Sequence, residues 1–244
     1  IFIGGGEESI KTITGSSDVL FLNNDFSGFM NEAIDIFGAH RVYVVGNKFH
    51  DNDASLRVAS PAIWAKAGAK DVSYLNNEFY NLDVNAHAMV LGGCCWNNWD
   101  GKNSDGSLKH VAENVRAIGN TFRNINLLSN YKFRGTIAAE GCDGCLIKDN
   151  ILDDVDVAFS LRATKDDPYR LAPRNIEITG NILKNIRTGR ILNMENDATV
   201  GFKMSNNKVY IEEGEETINL GESILTLKEF QNQKFDVGSS ILPP

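Results

Sequence analysis

The chain has 244 residues, of which 42% are hydrophobic and 23% charged, and its formal net charge is -8. A chain of this length builds one substantial core. With no basic stripe to neutralise phosphates it does not suit nucleic acid, and without a run of about 20 apolar residues it holds no membrane-spanning helix. The same acidic balance means that a uronate polymer would have to be met by local Lys or Arg, or by a bridging cation.

In chain order, the opening Ile1-Phe2-Ile3 is apolar, with neither an initiating Met nor a signal peptide, which predicts a processed or trimmed product. It is too apolar for an open strand edge, so a partner chain or a further segment is expected to cover it. One phrase then recurs seven times: Asn24-Asp25-Phe26, Asn47-Lys48-Phe49, Asn77-Glu78-Phe79, Asn120-Thr121-Phe122, Asn150-Ile151-Leu152, Asn181-Ile182-Leu183 and Asn207-Lys208-Val209. Successive asparagines are 23, 30, 43, 30, 31 and 26 residues apart. Spacings of this size mark a stacked repeat in which each copy is one supersecondary unit and insertions fall in loops.

Within one repeat, 33–50, three β-branched or aromatic runs are separated by Gly-Ala and Gly-Asn, which predicts three strands and two tight turns. The asparagines are expected in the left-handed turn position, with their amides bonded from one repeat to the next. Counting from each Asn, the residues five before (Val42, Val72, Val115), three before (Val44, Tyr74, Ile147) and two after (Phe49, Phe79, Phe122) form apolar columns. Alternation along a strand puts the first two columns on one buried face and turns the column between them, with Tyr43 and Arg116, to water.

Strand, Gly-Asn turn, strand, loop, strand over roughly Ile10 to Val209 resembles the right-handed parallel β-helix of the pectin-lyase-like superfamily, which holds polysaccharide lyases, glycosidases, uronan epimerases and phage tailspikes. The tail from Leu227, with Asp236-Val237-Gly238-Ser239, resembles the closing segment of bacterial carbohydrate-active members. The expectation is an all-β, single-domain solenoid, a right-handed single-stranded parallel β-helix of about seven coils with an Asn ladder over 1–244, in which 210–244 form a C-terminal cap. The resemblance also implies that the first strand of each repeat floors the substrate cleft. Insertions at Gly92–His110 and Ala163–Arg174 leave one corner of that strand, and Asp51–Ser60, Asn81–His87 and Asn124–Gly135 leave the other, so loops wall both sides.

The outward pairs of the floor read Thr12 and Thr14, Asp35 and Phe37, Trp64 and Lys66, Val90 and Gly92, Ala138 and Glu140, Ser160 and Arg162, and Asn193 and Glu195. Glu140 and Arg162 become neighbours, and Lys66 stands about 10 Å from Glu140. A lyase neutralises a uronate carboxylate, withdraws the α-proton and protonates the leaving oxygen. Lys66, Arg162, Glu140 and His87 are the candidate catalytic groups, with Trp64, Asp35, Asn193 and Glu195 as substrate contacts. A Ca2+ ion on Asp35, Glu140 or Glu195 is admissible, though no metal ligand set is fixed. As exposed charges, Lys66 and Arg162 should be removable at little cost to stability.

A glycoside hydrolase needs paired carboxyl groups, for which Asp100, Asp105, Asp166 and Asp167 on the insertions are available. Against these readings, Glu140 with Arg162 is equally a cross-strand ion pair, and Trp96 and Trp99 read as loop packing, whereas the outward Trp64 is favoured as a sugar contact. Cys142 and Cys145 lack a second pair with zinc-ribbon spacing, since Cys94 and Cys95 are vicinal. Cys94 is expected over Cys142, giving one disulfide between repeats or four thiols. The reading is a secreted, periplasmic or cell-surface enzyme cleaving an acidic polysaccharide by β-elimination. A hydrolase or transferase on a neutral glycan, and a non-catalytic glycan-binding or tailspike-like solenoid, are the alternatives.

Overall fold

The computed structural model describes residues 2–4, 16–53, 61–93, 111–130, 132–163, 171–212 and 215–244. The chain is mostly β, in two sheets of 15 and 10 strands, and successive repeats pair in parallel. The three runs of the repeat considered above become the strands Ile34–Phe37, His40–Val45 and Lys48–His50. First and third strands of the repeats share the larger sheet and middle strands form the smaller. The larger sheet is continuous because Ile151–Arg162 and Ile182–Met194 run from a third strand straight into the next first strand.

Registers match the sequence columns. Val42 pairs with Val72 and Val44 with Tyr74 in the smaller sheet, and Phe49 pairs with Phe79 and Phe79 with Phe122 in the larger. All seven are buried to 1% exposure or less. The phenyl rings stack along the repeat axis, with centroids 5.0 Å apart for Phe26 and Phe49 and 4.7 Å apart at each of the next two steps. Aromatic stacking adds to the stabilisation that burial of this column gives.

The seven asparagines hydrogen-bond in series. Each donates from its backbone N–H and from Nδ2 to the Oδ1 of the next: Asn47 to Asn77 at 2.9 and 3.1 Å, Asn77 to Asn120 at 2.9 Å in both bonds. The series runs from Asn24 to Asn207 and ends on Ser239 Oγ, which in turn donates to Asp236 Oδ1. The backbone detail differs from expectation. The left-handed residue is the one before each asparagine: Asn23, Gly46, Asn76, Gly119, Asp149, Gly180 and Asn206 all have φ between 53° and 68°. With that residue taking the turn, the ladder asparagine aims its amide inward.

At the C-terminal end the helix Leu227–Asn232 starts on Thr226, whose Oγ1 accepts from Glu229 N–H while the Glu229 carboxylate accepts from Thr226 N–H. This reciprocal cap holds Leu227 and Phe230 against the core, where Phe230 meets Phe202 and Phe235. At the other end Phe2–Gly4 pairs in parallel with Ile34–Phe37.

The cysteine expectation is overturned. Cys142 is joined to Cys145, with Cα atoms 6.3 Å apart, so Cys142 is not available to Cys94, which lies outside the described residues. Gly144, at φ 69°, turns the chain between the two, and both sulfurs sit in the core. The local turn closes the disulfide before an alignment of repeats comes into play.

Candidate functional site

The sheet of first strands carries the predicted columns in register. Asp35 pairs with Trp64, Trp64 with Val90, Val90 with Ala138, Ala138 with Ser160 and Ser160 with Asn193. Gly92 pairs with Glu140 and Glu140 with Arg162. Two groups of charges form on this face.

The first centres on Lys66. Its ammonium lies 3.0 Å from Asp35 Oδ2, 3.9 Å from Glu32 Oε1 and 4.1 Å from the centroid of the Trp64 ring. Burial pushes the Asp35 carboxyl above its ordinary value and Glu32 adds to the rise, while Lys66 opposes both. Asp35 Oδ1 is buried and meets no donor. Trp64 Nε1 donates to Gly92 O at 2.5 Å, and the ring lies so close to Gly93 that a Cβ there would come within 2.6 Å of Nε1. Glycine at 93 is therefore the condition for the indole to lie down on the strand.

The second centres on Glu140. Its Oε1 accepts from Arg162 Nε at 2.5 Å and from Nη2, and stands 3.2 Å from His87 Nε2. His87 Nδ1 donates to Gly135 O at 3.0 Å, since a carbonyl only accepts. Burial is the largest influence on the Glu140 carboxyl and pushes it up, but the close approach of His87 and the Arg162 charge together outweigh it and hold the group below the usual carboxylate value.

The expected exposure of this face is corrected. Lys66 is 5% exposed, Glu140 4% and His87 4%, and Ser160 and Asn193 are fully buried. The segment 133–135 crosses the face and presents three consecutive carbonyls to it. Phe133 O accepts from Ser160 Oγ at 2.5 Å, Arg134 O from Asn193 Nδ2 at 2.7 Å, and Gly135 O from His87. A Cβ at Gly135 would lie 2.6 Å from the Phe159 carbonyl carbon, so only glycine brings the segment so near.

Of the predicted substrate contacts, Asn193 is committed to the fold, donating to Arg134 O and accepting from Asn219 Nδ2 at 2.9 Å. Glu195 caps the chain at Ala163, accepting from its N–H at 3.0 Å. One face of Trp64 is taken by Lys66. Glu32 was not anticipated, and the insertion Asn124–Gly135, expected to wall the groove, instead lays 133–135 across its floor. Thr12, Thr14, Cys94, Cys95, Trp96, Trp99, Asp100, Asp105, Asp166 and Asp167 lie outside the described residues. Among the described residues no group of three or more His, Cys, Asp and Glu side chains is placed to hold a metal ion. In comparisons with known proteins, no family model, curated protein or solved structure matches the chain.

Proposed function

We propose that the chain is a right-handed parallel β-helix, of about seven coils in one domain closed by 210–244, that cleaves an acidic polysaccharide by β-elimination on the face carrying Lys66 and Glu140. The parallel registers, the asparagine series and the phenyl stack support the fold reading. One observation carries the activity: two groups of opposite charges buried on a single sheet face. Burying ions costs desolvation that a purely structural face would avoid with apolar side chains.

In this reading Arg162 faces the carboxylate of the reacting uronate and stabilises the charge that spreads into it as the α-proton leaves, while Lys66, three strands away, meets the carboxylate of another sugar along the polymer. His87 is the proton-transfer group, its ring held by Gly135 O and its buried Nε2, 3.2 Å from Glu140 Oε1, without an aligned hydrogen bond among the described residues. Glu140 stays ionised and orients Arg162 and His87. The leaving oxygen is on the carbon next to the one His87 deprotonates, so His87 itself returns the proton to it, and Asp35, about 14 Å away on the strand spacing, stays paired with Lys66. The disulfide supports an exported protein, and a covering partner or segment at the Phe2–Gly4 edge belongs to the same proposal.

The hydrolase alternative fits less well. Asp35 and Glu140 are three repeats apart, about 14 Å at the spacing of parallel strands, beyond the roughly 9.5 Å that inverting carboxyl pairs tolerate. The deciding experiment is ultraviolet absorbance of unsaturated products on a panel of uronate polymers, with Lys66→Ala as control. Lyase action gives absorbance with wild type and at least about a 100-fold lower turnover with the variant. New reducing ends without absorbance would replace lyase by hydrolase, and neither signal would leave a non-catalytic glycan binder.

A further inference from the structure

Arg41, Arg162, Arg174 and Arg187 each hold a carboxylate. Of the other described arginines, Arg116 and Arg123 are exposed, whereas Arg134 and Arg190 are half-buried and hold no carboxylate among the described residues. Arg134 lies in the segment that crosses the sheet face, and its guanidinium donates to the carbonyls of Leu127 and Ser129. Those two bonds are to neutral acceptors, so its charge is uncompensated. Arg190 sits in the strand Ile182–Met194 between Val157 and Thr217, three residues before the Asn193 that bonds to Arg134 O. Its Nε is buried and meets no acceptor.

Burial pushes the Arg190 guanidinium below its ordinary value and the like charge of Arg134 pushes it the same way. Nearby, the single carboxylate on Lys132 is that of Glu222, 2.6 Å away and 95% exposed. A guanidinium is a planar fork of donors matched to an oxyanion with two or more oxygens. Two such forks, one with a buried donor that nothing among the described residues satisfies, lack the acceptor that an acid group brings.

We propose that Arg134 and Arg190 form an anion subsite that receives one acid group, a carboxylate or a sulfate, of a glycan lying along the sheet face. For its natural ligand the subsite rests on the glycan reading above; the binding of an anion does not. The subsite would select charged over neutral polymers although the chain as a whole is acidic, because a partly buried pair is less screened than the surface.

The test is the thermal midpoint of wild type and Arg190→Gln in sodium sulfate and in sodium chloride at matched ionic strength. Sulfate raises midpoints generally by exclusion from the protein surface, so the difference between the two proteins is what counts. Wild type is expected to gain several degrees more from sulfate than the variant does. In chloride the variant should match or exceed wild type, since it loses an unpaired buried charge. Equal sulfate gains, or a variant less stable in chloride, would overturn the subsite.

Calorimetric titration with a uronate trisaccharide and with a sulfated disaccharide then identifies the acid group. About tenfold weaker binding in the variant, the worth of one charged hydrogen bond, is expected for one of them and unchanged affinity for both counts against the proposal. If Arg190→Gln does not fold, Arg190→Lys serves, keeping charge but not the fork, and a wild-type response to sulfate rejects the paired-fork geometry. A lost sulfate effect with no unsaturated product would sink the lyase and keep the subsite; the converse would do the reverse.

Discussion

Glu140→Gln tests whether the charges on the sheet face act as a buried unit. The substitution keeps the shape of a side chain that is 4% exposed and removes the charge that Arg162 meets through Nε at 2.5 Å and His87 through Nε2 at 3.2 Å. Breaking one partner of a buried pair leaves the other ion uncompensated, at a cost of about 3 to 5 kcal/mol. Replacing both partners costs far less, and often nothing. Glu140→Gln with Arg162→Met should therefore recover most of the loss.

The assay is urea unfolding with unchanged slope, so that midpoints report stability. A single-variant loss below about 1 kcal/mol, or a double variant no better than the single, would refute the reasoning. The pH dependence gives a second check. Because the folded state holds Glu140 below its ordinary value, its stabilisation is complete above the unfolded value of about 4.3 and disappears as pH falls through the lower folded value. Glu140→Gln should lack that part of the acid sensitivity.

Phe79→Ala removes the middle ring of a stack with neighbours 4.7 Å away on both sides, and should destabilise by about 3 to 5 kcal/mol in reversible denaturation; a column that faced water would show under about 1. Gly119→Ala places a Cβ at φ 68° against Asn76 Oδ1, so a loss of more than about 1 kcal/mol is expected, whereas the same change at an extended glycine would be mild. Cys142 and Cys145 should resist alkylation in denaturant until a reductant is added, as mass spectrometry of their peptide will show; labelling without reductant would remove the disulfide.

Much of the scaffold was legible because it is periodic. Val42, Val72, Tyr74 and Phe79 keep a fixed distance from their asparagine, and a fixed distance in a stacked repeat is a fixed place in space. The turn was legible in composition but misassigned by one residue. Before each of the seven ladder asparagines, and before the Ser239 that ends the series, Asn23, Gly46, Asn76, Gly119, Asp149, Gly180, Asn206 and Gly238 alternate between Asn or Asp and Gly. The structure supplies the reason: the Oδ1 of each Asn or Asp fills the space where a Cβ on the neighbouring Gly would lie. The signal stood in the sequence and needed only a comparison of adjacent repeats.

The site was half legible for the opposite reason. Strand alternation placed Lys66, Glu140 and Arg162 on one face, but not what covers that face, because the insertions at this corner differ in length and sequence from repeat to repeat and the turn of 133–135 across the strands is particular to one of them. Periodicity carries no information about a segment that occurs once. The same blind spot hid Glu32, which precedes its strand and reaches Lys66 only because the lysine leans back over Trp64. It also explains the cysteine error, since a four-residue turn closes on itself whatever the repeats do. The consequence reaches the chemistry: on a solvated face Lys66→Ala would cost activity alone, whereas beside a buried Asp35 and Glu32 it leaves two carboxylates without their cation. Turnover and stability should therefore fall together in Lys66→Ala, and a variant that lost only turnover would return Lys66 to the surface that strand alternation first assigned it.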